Sequence, residues 1–196
     1  MIKAIIFDLN GIFIQSPNLS ARFQEKFGVP VEEFLSALKI IMPKVRKFNS
    51  GNNFAHWKPF LEKWGVNLTE EEFFSFWFRA EKENEEVIEI ARQIKKKGMK
   101  IFILSNNFKE RSNYYMGNFK FLKEIPDKIY FSWQTGFVKP NPEAFKNLLS
   151  ENNLKPEECL YLDDSEKNIE SAKSLGINAL LFKKIEDFKK ITYSLK

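Results

Sequence analysis

An aspartate at the end of an apolar run is a group that a β-sheet can aim. Ala4-Ile5-Ile6-Phe7 leads to Asp8, and Leu9, Asn10 and Gly11 follow. A carboxylate at a strand end beside a glycine turn has the setting of a nucleophile. Three later segments offer partners: Ser105-Asn106, Lys139 within Val138-Lys139-Pro140-Asn141-Pro142, and Asp163-Asp164-Ser165. Together they supply a hydroxyl and amide, an ammonium, and a pair of carboxylates. That set suits phosphoryl transfer. A phosphate needs its charge neutralised before a carboxylate can attack it, and Lys139 with a divalent cation would do so. A hard cation such as Mg²⁺ takes carboxylates, carbonyls and waters. Asp8 and Asp164 can supply the carboxylates, with the backbone carbonyl of Asn10 as a third ligand. Ser105 and backbone amides can hold phosphoryl oxygens, and attack by Asp8 would give an aspartyl-phosphate.

The elements that must position these groups can be read from periodicity. Strand-like runs cover 3–8, 100–105, 128–132, 159–163 and 178–182. The first, second and fourth are nearly continuous apolar runs, as in parallel strands buried on both faces. Helical patterns at 85–97, 141–152 and 165–175 separate the later strands, and Gly98 and Gly176 end two of them. Alternating strands and helices predict an α/β fold with a parallel sheet. In such sheets ligands bind beyond the carboxyl ends of the strands, where all four polar segments fall. Residues 16–84 break the alternation. They carry only helical periodicity, in segments 18–27, 31–47, 54–64 and 69–82, and Thr69 with Glu72 reads as a capping box.

Four motifs now stand in order: Phe7-Asp8-Leu9-Asn10-Gly11, Ile103-Leu104-Ser105-Asn106, Val138-Lys139-Pro140-Asn141-Pro142, and Tyr161-Leu162-Asp163-Asp164-Ser165 with Asn168. In this set the chain resembles the haloacid dehalogenase superfamily over nearly its whole length. The resemblance implies a Rossmann-like parallel sheet of order 5-4-1-2-3 with helices on both faces. It implies a core of residues 1–15 and 85–196 and an inserted helical C1 cap of residues 16–84. The loop at Gly51 and the Ser105-Asn106-Asn107 stretch look closest to the glucose-1-phosphate phosphatases and the phosphatase domain of soluble epoxide hydrolase. By resemblance Asp8 is nucleophile and magnesium ligand, and Asn10 lends its backbone carbonyl to the metal. Ser105 and Asn106 bind phosphate, and Lys139 neutralises Asp8 and the phosphoryl group. Asp164 binds magnesium directly, and Asp163 directly or through water. The resemblance implies a small phosphorylated metabolite as substrate.

Asn10 departs from the pattern. Hydrolytic members usually carry a second aspartate there, which protonates the leaving group and later activates water. An amide cannot transfer a proton at neutral pH, and losing a general acid–base typically costs ~10²–10⁴ in rate. The chain therefore reads as a slow phosphatase, with a catalytically silent phosphate-binding or interaction module as the alternative. Carbon–halogen chemistry is disfavoured, because the dehalogenase branch uses no metal and Asp163-Asp164 with Lys139 suit a cation plus phosphate.

Bulk composition bounds the rest. The 196 residues, 43% apolar, suffice for one domain with a small inserted module. Lys and Arg number 31 against 26 acids, giving +5, and the lysine clusters flank helix ends as solvated surface. There is no basic stripe or nucleic-acid motif. No run approaches the ~20 apolar residues of a membrane span, and no signal-peptide pattern is seen. A single cysteine, Cys159, excludes an internal disulfide and fits a cytoplasmic location. A monomer or weak homodimer is expected. His56, the only histidine, reads as packing, and it and Arg46 are the insert residues to watch for substrate contact. The aromatic run 73–78 reads as core of the insert.

Overall fold

The computed structural model describes residues 1–186, 188 and 189. Its elements run β1 (Ala4–Phe7), β2 (Ile14–Gln15), α1 (Leu19–Phe27), α2 (Val31–Val45), α3 (Lys58–Lys63), α4 (Glu70–Phe78), β3 (Lys82–Glu83), α5 (Glu85–Lys96), β4 (Lys100–Ser105), α6 (Lys109–Asn118), α7 (Phe121–Glu124), β5 (Lys128–Phe131), α8 (Ser132–Thr135), α9 (Pro142–Glu151), β6 (Cys159–Asp163), α10 (Glu166–Ser174) and β7 (Asn178–Leu181).

Five strands form a parallel sheet in the order β5-β4-β1-β6-β7. Counted along the chain, that is the expected 5-4-1-2-3 order read from the other edge. Side chains alternate across a strand, so each run splits between two cores. Ile5, Phe7, Ile101, Ile103, Leu160 and Leu162 face one layer, with α5 beneath them through Val87, Ile88 and Ile94. Ala4, Ile6, Phe102, Leu104, Cys159 and Tyr161 face the other, against Phe145 and Leu148 of α9. Both layers are apolar, hence the unbroken apolar runs. The register pairs Phe7 with Ile103 on one side and Leu162 on the other. Asp8 therefore leaves the sheet beside Asp163, and its N–H donates to the Leu162 carbonyl at 2.9 Å.

The helical segment between β2 and β3 builds a second core, to which Phe108, just before α6, contributes. Phe23, Phe34, Trp57, Phe73 and Trp77 lie inside it, each at most 6% exposed. The Phe34 ring sits 4.8 Å from Phe23 and stacks on Trp57 at 5.5 Å and on Trp64 at 5.8 Å. The aromatic run 73–78 feeds this cluster. The capping box at Thr69 is present: the Glu72 N–H donates to Thr69 Oγ1 at 3.2 Å, and the Thr69 N–H to Glu72 Oε2 at 2.8 Å.

Boundaries differ from the periodicity in instructive places. The stretch 54–64 is a single 3-10 turn (Phe54–His56) followed by α3, with Pro59 in the first turn, where a missing N–H is tolerated. The last segment of the insert stops at Phe78, because Lys82–Glu83 pair antiparallel with Ile14–Gln15. That two-residue ribbon is too short to alternate visibly. Helix α6 escapes periodicity for another reason: its buried face includes Arg111 and Ser112 beside Tyr115, so no apolar stripe marks it. Among the described residues no helix is long and apolar enough to cross a membrane.

Truncating a ring with stacked partners on two sides leaves a cavity that its neighbours cannot fill. Phe34→Ala should lower the stability of the helical segment by about 3–5 kcal/mol, measured by urea denaturation followed through tryptophan fluorescence. A loss below ~1 kcal/mol would mean that this core is loosely packed.

Candidate active site

Lys139 is the hub. Its Nζ donates to Asp8 Oδ1 at 2.9 Å, Asp163 Oδ2 at 2.7 Å and the Tyr161 hydroxyl at 3.0 Å. An ammonium has three donors, and all three find oxygens. The Lys139 side chain is 1% exposed, against 13% for Asp8 and 0% for Asp163. The backbone that carries it is held by Asn106, whose Nδ2 donates to the Lys139 carbonyl at 2.7 Å and whose Oδ1 accepts from the Lys139 N–H at 2.8 Å. Asn106 borders the cavity, but its amide is committed to that backbone.

Asp163 and Asp164 part company. Asp163 Oδ1 accepts from the Ser165 N–H at 2.8 Å, and Oδ2 accepts from Lys139, from the Tyr161 hydroxyl and from Asn168 Nδ2 at 2.9 Å. Asp164 is exposed and borders the cavity with Asp8. Asp8, Asp163 and Asp164 each present a carboxylate oxygen within 4.8 Å of the others, a hard donor set fit for a divalent cation. Gly11 keeps the space open. A Cβ there would stand 2.1 Å from Asp164 Oδ2, and the φ of +84° disfavours side chains independently.

Asn10 faces a polar frame that the sequence did not announce. Its Nδ2 donates to the Tyr115 hydroxyl at 2.7 Å. The Glu81 carboxylate lies close enough to Tyr115 to help hold its phenol protonated. Glu81 receives the Arg111 guanidinium through both oxygens, and Arg111 also donates to Ser16 Oγ at 2.9 Å. Ser16 directly follows β2 and Glu81 directly precedes β3, so one arginine ties the chain's entry into the helical segment to its exit. Arg46, following α2, borders the same cavity as Asp8 and Arg111, a space of about 390 Å³.

Of the residues singled out from sequence, Asp8, Asn10, Asn106, Lys139, Asp164, Asn168 and Arg46 meet around this cavity. Ser105 and Asp163 lie beneath it, and Ser105 Oγ is buried without a hydrogen-bond partner. His56 is half-buried away from the lining. Arg111, Tyr115, Glu81 and Ser16 were missed. The available signal was negative: polar side chains at inward spacing in an otherwise featureless stretch.

Burial pushes the Asp8 carboxyl up to about 6; Lys139 opposes the rise and Asp163 adds to it. Burial would raise Asp163 too, but the charge and hydrogen bond of Lys139 outweigh it and hold Asp163 below its usual value. Asp164, although exposed at the cavity rim, is raised by partial loss of solvent there and by the neighbouring Asp163 charge. The Arg46 guanidinium is lowered by burial and by Arg111, against the pull of Asp8.

A parallel sheet of this order, with an acidic opening and a buried lysine at its carboxyl edge, defines a class of hydrolase. The sequence matches the haloacid dehalogenase-like hydrolases over residues 2–176, and the chain belongs to that family. It is 25% identical to mouse bifunctional epoxide hydrolase 2 across 92% of this chain, but it spans only 36% of the mouse protein's length. It is 26% identical to the phosphorylated carbohydrates phosphatase of Thermotoga maritima, across 91% of this chain and 83% of that one. In three dimensions it is similar to a haloacid dehalogenase family enzyme of Bacteroides thetaiotaomicron, with a TM-score of 0.83, 22% identity, and coverage of 97% of this chain and 98% of that one. The Bacteroides enzyme has also been crystallised with magnesium and inorganic phosphate.

Two tests follow from the geometry. Gly11→Ala should weaken divalent-cation binding by at least ~10-fold, because the methyl group displaces Asp164; calorimetric titration with Mg²⁺ reads this, and unchanged affinity would remove Asp164 from the cation site. A raised carboxyl costs stability once it ionises, from its ordinary value of 3.8 upward, with the loss complete above about 6. Metal-free Asp8→Asn should therefore be more stable than the natural chain at pH 8, by on the order of 1–3 kcal/mol, and nearly equal to it at pH 4. Added Mg²⁺ should narrow the gap at pH 8. Equal thermal melting at both pH values would contradict the burial of Asp8.

Proposed function

We propose that this chain is a magnesium-dependent phosphatase of a small phosphorylated metabolite, acting through an aspartyl-phosphate on Asp8. The observation that carries the reading is Lys139 bonded to both Asp8 and Asp163 beside the opening bordered by Asp8 and Asp164. The magnesium and phosphate of the Bacteroides enzyme support it, and the Thermotoga relative suggests a phosphorylated carbohydrate.

In this reading Asp8 attacks phosphorus with the carboxylate oxygen that Lys139 does not hold. The bond from phosphorus to the leaving oxygen breaks, and that oxygen takes the electron pair. Lys139 keeps Asp8 ionised and oriented and meets part of the developing charge. Magnesium, held by Asp8, Asp164 and the Asn10 carbonyl, would neutralise the phosphoryl oxygens, and Asp163 would steady Lys139 from below. Ser105 would donate its free hydroxyl to a phosphoryl oxygen, and Asn106 would fix the Lys139 backbone. Residues 16–84 would serve as the cap over the site.

No carboxylate stands at residue 10 to protonate the leaving group or to activate water. Esters with poor leaving groups should turn over slowly and aryl or acyl phosphates faster, with phospho-enzyme accumulating when the second step lags. The test is a panel of phosphorylated sugars and polyols with Mg²⁺, alongside intact-mass measurement for one added phosphoryl group. Asn10→Asp should raise turnover by ~10² or more. No product and no phosphorylated protein from any substrate would sink the reading. One observation favours the silent alternative: the Asn10 amide is tied to Tyr115. If Asn10→Asp creates activity where the natural chain has none, the natural chain binds phosphate without turning it over.

A further inference from the structure

The cavity contains a cation that the proposed chemistry has not yet used. Arg46 follows the C-terminal end of α2 and is half-buried. Its Nε is buried with no hydrogen-bond partner, and Arg46 enters no ion pair among the described residues. The other cations of the lining are matched, Lys139 by Asp8 and Asp163 and Arg111 by Glu81. Burying a guanidinium without a paired anion is costly, Arg111 makes it costlier, and Asp8, already engaged by Lys139, offsets only part of this. A guanidinium that borders a carboxylate-and-lysine centre and has no anion of its own is a setting for a phosphate oxygen.

Charge balance decides which anion. The carboxylates of Asp8, Asp163 and Asp164 are offset by Lys139 and one divalent cation, and Glu81 is offset by Arg111. A phosphoryl dianion entering the site then finds one countercharge left in the lining, Arg46. A second anionic group on the substrate would find none.

We propose that Arg46 binds the transferring phosphoryl group itself, so that the phosphoryl bridges the helical segment to the sheet, and that the remainder of the substrate is uncharged, as in a polyol or sugar phosphate. This rests on the phosphatase reading. It makes Arg46 the point at which the helical segment meets the substrate, and it disfavours substrates that carry a carboxylate or a second phosphate.

The test is calorimetric titration of inorganic phosphate into the Mg²⁺-loaded protein, comparing the natural chain with Arg46→Gln and Arg46→Lys. Losing a charge-assisted hydrogen bond should weaken phosphate binding about 10- to 100-fold in Arg46→Gln, with Arg46→Lys in between and Mg²⁺ affinity unchanged. Without phosphate, Arg46→Gln should melt at an equal or higher temperature, since an unpaired buried charge has gone; with phosphate, most of its ligand-induced rise in Tm should vanish. Phosphate affinity equal to the natural chain's would overturn the proposal and leave the phosphatase reading standing. Failure of the natural chain itself to bind phosphate with Mg²⁺ would overturn both. Arg46→Gln that spared inorganic phosphate and weakened only 2-phosphoglycolate would assign Arg46 to a second anion, against the proposal.

Discussion

An ammonium with almost no contact with water has to be surrounded by oxygens, and the Lys139 Nζ is surrounded by three: Asp8, Asp163 and the Tyr161 hydroxyl. Its desolvation is met only if all three arrive together. Asp8 comes from the end of β1 and Tyr161 and Asp163 from β6, so these strands must be neighbours. Lys139 comes from the loop between α8 and α9, beyond β5 at the sheet's edge, so that loop must return across β4 and β1. Asn106, just after β4, holds it there through both the nitrogen and the oxygen of its side-chain amide. Strand order, loop path and charge constellation are thus a single constraint. The same pairing occupies both oxygens of Asp163 with protein donors and engages Oδ1 of Asp8 with Lys139.

The parts legible in the sequence were those whose signal is local. Ala4–Phe7, Lys100–Ser105 and Cys159–Asp163 are apolar on both faces, so their runs are unbroken and their polar ends stand out. Thr69 and Glu72 declare a helix start within four residues. The frame around Asn10 is different in kind. Ser16, Glu81, Arg111 and Tyr115 are each ordinary in their own stretch, and their meaning lies in meeting across β2, β3 and α6. The division of labour between Asp163 and Asp164 was equally hidden. Adjacent carboxylates look alike in sequence, and only Tyr161, Asn168 and the Ser165 N–H tell them apart.

The joint between sheet and helical segment has its own logic. Two strands of two residues each carry the chain out and back. Such a ribbon has little stability of its own. Arg111 supplies what it lacks, reaching Ser16 on one side and Glu81 on the other from a helix of the sheet layer. The joint is therefore fixed electrostatically by a guanidinium that also borders the cavity.

Tyr115 brings out a last consequence. A phenol has one hydrogen. Here the oxygen receives the Asn10 amide, and the Glu81 carboxylate stands close by. A carboxylate at residue 10 would ask for that same hydrogen and would face Glu81 as a rival acceptor. Position 10 is therefore not an independent letter of the sequence. Asn10, Tyr115 and Glu81 are physically coupled, so a change at one alters the surroundings of the other two, and the amide at residue 10 is the group that can donate to the phenol oxygen.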